Sequence, residues 1–303
     1  MVLTIITINY NGAGKTIRLM DSLKIQTDQD FKVIVVDNAS EIGDFQKLPQ
    51  PTSQIEIIRN SINLGFSGGC NIGIKKAIEN GPLRRGSGQA DWVLLLNNDT
   101  WVENDFIASL KPILSPSTGS GQARQGIIGL PLDEGGRMAY GGKIRWLKPV
   151  GFHIHDWNKA KSEKNIHAVG GAMLIHKSVF EKIGFFDEKY FLYFEDVDFN
   201  VRARKNNISI EMLEKPIVHH GEPSSTTKNL GSALLLQYHY RNALYFNLKN
   251  GPWYIKLAVW PWSWIIMAKQ IVKIMLRINK EHSLAILNGV MDFYSTRMGI
   301  IKN

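Results

Sequence analysis

Four short apolar runs, rich in β-branched residues, punctuate the N-terminal part of the chain: Val2–Ile8, Lys32–Val36, Ile55–Arg59 and Trp92–Leu96. They show little of the polar–apolar alternation of a strand with one wet face, so each reads as a strand covered on both sides. Between them, Thr16–Ile25 and Gly69–Glu79 carry apolar residues at roughly helical spacing. Strands of this kind interleaved with helices define an α/β chain with a Rossmann-like, mostly parallel central sheet flanked by helices. Ligands of such sheets gather at the C-terminal ends of the strands, so the residues after each run are where function is expected.

The composition narrows the partners. With 303 residues, 44% hydrophobic and 21% charged, the chain has ample material for a core, and collagen-like, coiled-coil and wholly disordered readings fail. Its one cysteine, Cys70, excludes an intrachain disulfide and a multi-cysteine zinc site. Thirty-six Lys and Arg against 27 Asp and Glu leave a formal charge of +9, which calls for an anionic partner. No nucleic-acid-binding signature accompanies that charge. A phosphorylated ligand or an anionic membrane surface is expected instead. The opening MVLTIITINYNG lacks a basic n-region and reads as a buried strand rather than a signal peptide. Asn80–Gln89 and Ser115–Gly126, rich in Gly, Ser and Pro, read as surface loops.

From about Gly231 the pattern becomes helical and aromatic. We expect a catalytic domain over residues 1–230 and a C-terminal helical extension over 231–303. Within Trp253–Ile278 the longest uncharged stretch is Leu257–Ala268, short of the ~20 residues that cross a bilayer. Lys269, Lys273 and Arg277 recur at helical spacing beside Ile271, Ile274 and Ile278. Such a helix either lies in a membrane interface or packs on the catalytic domain with its lysines in water.

The strand ends carry the chemistry. After the first strand, Gly14-Lys15-Thr16 looks like the end of a phosphate-binding P-loop, but Asn9 stands where that motif needs glycine. After the second come Asp37-Asn38-Ala39-Ser40, where a carboxylate can accept from a ribose or base, or simply close an Asx-turn. Asn63–Gly73 is a glycine-rich turn into a helix, whose N-terminus favours phosphate. Asn97-Asn98-Asp99 offers hard oxygen donors suited to Mg²⁺ or Mn²⁺ shared with phosphates, or a turn. Glu195, Asp196 and Asp198 follow the aromatic run Phe191–Phe194. They exceed what a helix cap requires, and burial beside aromatics raises a carboxylate's pKa. His219-His220 precedes Ser224, Ser225 and Thr226, and a histidine there can complete a metal site.

In this order the segments Thr4–Gly12, Val35–Ser40, Asn63–Gly73, Leu94–Thr100, Gly170–Glu188, Phe191–Arg204 and His219-His220 resemble the family-2 glycosyltransferases with the GT-A fold. The match is closest to the bacterial rhamnosyltransferase-like branch, which Tyr240-Arg241-Asn242 also resembles, and it spans residues 2–248. The resemblance implies a metal-dependent, inverting transfer of one sugar, in the first instance rhamnose from dTDP-rhamnose. The acceptor it implies is a glycan hydroxyl in surface polysaccharide synthesis, and the aromatic, basic tail suggests a glycan that is lipid-linked at the inner face of the cell membrane. UDP-hexose and UDP-N-acetylhexosamine donors stay open.

The resemblance also assigns roles. Asp37 binds the base or ribose, with Thr7 and Asn9 lining that pocket, and Asn71 lies against the donor. Asn97, Asn98 and Asp99 match the Asp-X-Asp motif, with Asp99 on the Mg²⁺ or Mn²⁺ ion. Gly171 and Glu195 join the donor site, and Asp196 is the base. His220, or alternatively His219, contacts metal or diphosphate. Asn97 in place of the first acid leaves one carboxylate fewer for the ion. Gln237-Tyr238-His239-Tyr240-Arg241 lacks the processive Gln-X-X-Arg-Trp pattern, so a single transfer is expected. The rivals are a P-loop hydrolase using Lys15 and a non-catalytic binder of membranes or nucleic acid.

Overall fold

The computed structural model describes residues 2–79, 90–114, 125–221 and 233–301. The loop expected at Asn80–Gln89 lies wholly outside them, as do most of Ser115–Gly126, the boundary at residue 230 and Ser224, Ser225 and Thr226.

Seven strands form the central sheet: β1 (Leu3–Asn9), β2 (Lys32–Asp37), β3 (Ile55–Arg59), β4 (Trp92–Leu96), β6 (Gly126–Gly129), β11 (Ala172–His176) and β12 (Ser209–Met212). Their order is β12-β6-β11-β4-β1-β2-β3, and β11 alone runs against the others. A second sheet joins β5 (Thr100–Val102), β13 (Val218–His220), β7 (Leu132–Asp133) and β8 (Met138–Ala139), and β9 (Gly142–Lys143) pairs with β10 (Ile166–His167). The helices are α1 (Ala13–Lys24), α2 (Ile42–Phe45), α3 (Gly65–Glu79), α4 (Phe106–Leu114), α5 (Trp157–Ser162), α6 (Lys177–Ile183), α7 (Glu195–Lys205), α8 (Ala233–Asn250), α9 (Trp253–Met275) and α10 (Lys280–Tyr294).

The continuous apolar runs are explained by the layers. Leu3, Ile5, Val33, Val35 and Leu94 face α1 and α4, whereas Ile6, Ile34, Val36, Val93 and Leu95 face α3, α6 and α7. Alternate side chains thus enter two separate cores, each fully buried one contributing about 1.5–3 kcal/mol. Three helices begin before their periodic residues do, at Ala13, Gly65 and Glu195. Their first turns are built of glycine and polar residues, which hydrophobic periodicity does not register.

The reversal of β11 positions the site. Ala172 pairs with Leu96 at the end of β4, so the start of β11 meets the C-terminal end of its neighbour. Gly170 and Gly171 are thereby delivered beside Asn97, and α7 begins close by.

The C-terminal helices pack on this unit. Phe246 and Ala243 of α8 join Tyr190, Phe194 and Val201 in one core, and Leu244, Val259, Ile266, Ile286, Val290 and Phe293 tie α8, α9 and α10 together. No helix among the described residues is long and apolar enough to cross a membrane.

Candidate active site

A chain of side-chain hydrogen bonds crosses the ends of β2, β1 and β4. Asn9 Nδ2 donates to Asp37 Oδ1 at 2.9 Å, and Thr16 Oγ1 donates to Asn9 Oδ1 at 2.8 Å. Asn98 Nδ2 in turn donates to Thr16 Oγ1 at 3.1 Å. Asp37 and Asn9 are fully buried, and Asp37 also accepts from the Ser40 amide and pairs with Arg59 at 3.6 Å. Thr7 lies in the same strand, its buried hydroxyl without a partner among the described residues. The P-loop likeness has a different basis here, since Thr16 is the link between Asn9 and Asn98. Gly12 is needed beside it, because a Cβ there would stand 2.9 Å from Asn98 Nδ2.

Asp99 is met by a histidine and a lysine. His220 Nε2 stands 3.3 Å from Asp99 Oδ1, and Lys15 Nζ stands 3.8 Å from Asp99 Oδ2. Adjacent residues of a strand face opposite ways. His219 accordingly stacks on Trp101 at 4.0 Å and pairs with Asp133 at 3.2 Å instead. Gly171 backs Asn97: its carbonyl accepts from the Asn97 amide at 3.1 Å, and a Cβ would fall 2.5 Å from Asn97 Nδ2.

Asp196 opens α7. Its Oδ2 accepts from the Gly170 amide at 2.9 Å and its Oδ1 from the Val197 amide at 2.7 Å. The neighbouring acids differ from it. Glu195 is buried, which together with the Asp196 charge holds its carboxyl well above the carboxylate range. Asp198 is fully buried and serves the scaffold, held by Arg202 and Lys249 at 2.8 Å each and by Tyr190 and Asn250.

The turn leading to Asp196 is strained. Phe191, Tyr193 and Phe194 have φ of 63°, 69° and 75°, a region that bulky residues adopt at about 1–2 kcal/mol each. Asn242 Nδ2 of α8 lies 2.9, 2.8 and 3.0 Å from the carbonyls of Tyr190, Leu192 and Tyr193. Arg241 Nε orients it through Asn242 Oδ1 at 3.0 Å. On the other side, the Phe66 amide at the start of α3 donates to Phe191 O at 2.7 Å. This corrects the phosphate expected at that helix N-terminus: the backbone that Gly65 admits so closely is Phe191, 2.3 Å from where a Cβ would stand. Asn71 also lies within this scaffold, its amide engaged by Phe186 O at 2.9 Å and Glu188 Oε1 at 2.8 Å.

A cavity of about 650 Å³ brings several of these groups together, lined by Asn97, Gly171, Glu195, Asp196 and His220. Glu134, Arg137, His153, His155 and His239 add to its polar lining. His153 Nδ1 lies 2.9 Å from Glu134 Oε1. Burial would lower the His153 pKa, but the Glu134 carboxylate overrides it and holds the imidazole above its ordinary value. Burial takes His239, stacked on Tyr193, down to about 4. Thr16, Asn242, Gly170 and the Glu134–His153 pair were not legible as site residues, although Arg241-Asn242 was part of the family likeness.

The donor set at Asp99 fits a divalent ion. Two ligands about 2.1 Å from one octahedral ion stand roughly 3 Å apart, close to the 3.3 Å between Asp99 Oδ1 and His220 Nε2. No group of three or more metal-binding side chains occurs among the described residues. The pair therefore suits an ion that draws its other ligands from phosphate oxygens and water.

Polar clusters thus lie at the C-terminal edge of a Rossmann-like sheet, with an acid at the start of a helix beyond it, a layout that suits a transferase acting on a phosphorylated donor. Residues 4–184 match glycosyl transferase family 2, and the chain belongs to that family. It is 31% identical over 243 residues to the low-salt glycan biosynthesis hexosyltransferase Agl10 of Haloferax volcanii, covering 75% of this chain and 69% of that one. It is 25% identical over 311 residues to the N-acetylglucosaminyl-diphospho-decaprenol L-rhamnosyltransferase of Mycobacterium tuberculosis, covering 95% and 98%. The dTDP-rhamnosyl transferase RfbF of Shigella flexneri is 24% identical over 94% of each chain. The mannosyltransferase PcManGT from Pyrobaculum calidifontis, solved with GDP-Man and Mn²⁺, shares the fold with a TM-score of 0.55 at 14% identity, covering 97% and 87%. The protein is thus an inverting hexosyltransferase of glycan biosynthesis that uses a nucleotide sugar. The P-loop hydrolase and the non-catalytic binder fall away.

Proposed function

We propose that the protein transfers a single rhamnose from dTDP-rhamnose to a hydroxyl of a lipid-linked glycan, with Asp196 as the base and Mg²⁺ or Mn²⁺ held by Asp99 and His220. The observation that carries this reading is that Asp196, Asn97 and His220 line one cavity. The rhamnosyl donor and diphospho-lipid acceptor follow the names of the Mycobacterium and Shigella relatives. The base and ribose are read by the buried Asp37–Asn9 end of the polar chain.

In the reaction, Asp196 takes the proton from the acceptor hydroxyl. That oxygen bonds to the anomeric carbon from the face opposite the leaving group. The carbon–oxygen bond to the diphosphate breaks, and its electron pair leaves with the nucleotide. The Gly170 and Val197 amides hold the base in place. Glu195, kept neutral by burial, adds no second negative charge where the acceptor must approach. Lys15 brings positive charge to the diphosphate end. When bound, the divalent ion supplies neutralisation of the charge developing on the diphosphate.

The test is a thermal-shift screen of dTDP-, UDP- and GDP-sugars with and without Mg²⁺ or Mn²⁺. A metal-dependent shift with dTDP-rhamnose, lost in Asp99→Ala, is expected. A shift confined to UDP-sugars would replace the donor, and one that Asp99→Ala leaves intact would remove the metal assignment.

A further inference from the structure

Helix α9 has two faces that obey opposite rules. Val259, Ser263, Ile266 and Gln270 recur at intervals of four and three and are buried, Val259 and Ile266 in one cluster with residues of α8 and α10. Trp253, Leu257, Trp260, Trp264, Ile265 and Val272 lie on the rest of the helix circumference, and all are exposed. Trp253 is 74% exposed, Trp264 63% and Met275 69%. A soluble surface scatters such side chains singly, and a stripe of them marks a contact. The helix already satisfies its packing through the other face, so the exposed stripe does not arise from docking on the catalytic unit.

Charge identifies the occupant. From Trp253 to Asn279 there is no Asp or Glu, whereas Lys256, Lys269, Lys273 and Arg277 are all basic. Counted round the helix, Lys256 and Lys269 fall on the two borders of the apolar stripe. Long basic side chains flanking an apolar, tryptophan-rich face match a helix lying in the headgroup region of an anionic bilayer. A second copy of this chain would bring the same basic borders against each other, which is repulsive. Since no described helix can cross a membrane, the contact is with the surface.

We propose that the exposed face of α9 docks the enzyme flat on an anionic lipid bilayer. The docking rests on the helix alone; that it serves to meet a lipid-linked acceptor rests on the proposed transfer. No residue of α9 lines the cavity described above, so the face can be altered without touching it.

The experiment is co-sedimentation of the full chain with vesicles of phosphatidylcholine alone or mixed with phosphatidylglycerol, at low and high salt. Wild type is compared with the double variant Trp264→Gln, Ile265→Gln. Thermal shift with nucleotide sugars, measured without lipid, and light scattering for the mass in solution accompany it. Binding to the mixed vesicles is expected, weakened by salt, and reduced about tenfold or more in the variant. The variant's melting temperature and donor shift should be unchanged. Binding retained by the variant would overturn the proposal. So would failure of wild type to bind the mixed vesicles, and a dimer abolished by the substitutions would then assign the face to a second copy. A missing donor shift beside intact vesicle binding would sink the proposed transfer and leave the docking standing.

Discussion

Asn242 Nδ2 lies 3.0 Å from the carbonyl oxygen of Tyr193, three residues before the proposed base. The same amide reaches the Tyr190 and Leu192 carbonyls, so one side chain from α8 restrains a turn with three aromatic residues at positive φ. Without it the turn is free to relax and carry Asp196 with it. Asn242→Ala is therefore expected to lower kcat about 100-fold, the scale of a misplacement near 1 Å. The donor-induced thermal shift should persist. Asn242→Ser, which keeps one donor, should recover part of the loss. Equal losses in kcat and donor binding would reduce Asn242 to a packing residue.

The two adjacent acids should separate in kinetics. Asp196→Asn keeps the shape but removes the proton acceptor, and is expected to lower kcat about 1,000-fold with little change in donor binding. Glu195→Gln replaces a neutral acid with a neutral amide, so its loss should stay within about tenfold. Steady-state kinetics on both variants, with the melting temperature as a fold check, decide it. A reversed order would move the base to Glu195.

Lys15 is exposed on one side and near Asp99 on the other. Lys15→Ala is expected to raise the donor KM about tenfold by removing a charge from the diphosphate end. Chelation with EDTA should abolish turnover, and Mn²⁺ or Mg²⁺ should restore it. If chelation leaves turnover intact, Lys15 rather than an ion neutralises the leaving group, and Lys15→Ala should then be far more damaging.

The Glu134–His153 pair sets a pH window for stability. His153 is held above its ordinary 6.5, so its contribution is complete below that value and fades as pH rises through the raised pKa. Burial would raise Glu134, but His153 holds it below its ordinary 4.5. Its contribution is present above that value and is lost as pH falls through the lowered pKa. The melting-temperature difference between wild type and Glu134→Gln should thus peak between about 4.5 and 6.5. A difference that grows above pH 8 would show that the pair is not what links these residues.

The strand ends were legible because the chemistry of an α/β sheet collects there. Asp37, Asn97, Asn98 and Asp99 needed no more than the apolar runs that precede them. The likeness of Phe191–Arg204 to a known family singled out Asp196. What stayed hidden depends on contacts between remote segments. Nothing local in Asn242 tells that it grips the Tyr190–Tyr193 backbone. The glycines of Asn63–Gly73 looked like a phosphate cradle, whereas Gly65 makes room for Phe191 and Gly73 for Ile6 and Val36. That His220 rather than His219 stands at Asp99 depends on the register of β13 against β5, where His220 falls opposite Thr100.

The reversed strand β11 has a consequence for the order of assembly. Partners in β2 and β3 are 22 residues apart, those in β1 and β2 28, and those in β6 and β11 44 to 48, whereas β4 meets β1 across 89 residues and β11 across 76 to 84. Asp37 and Asn9 stand on one side of β4, and Asp196 is tied to the backbone that leads into β11 on the other. Contacts of large sequence separation form late. A refolding chain therefore builds the two flanks first, and the site between them is complete only once β4 has joined both.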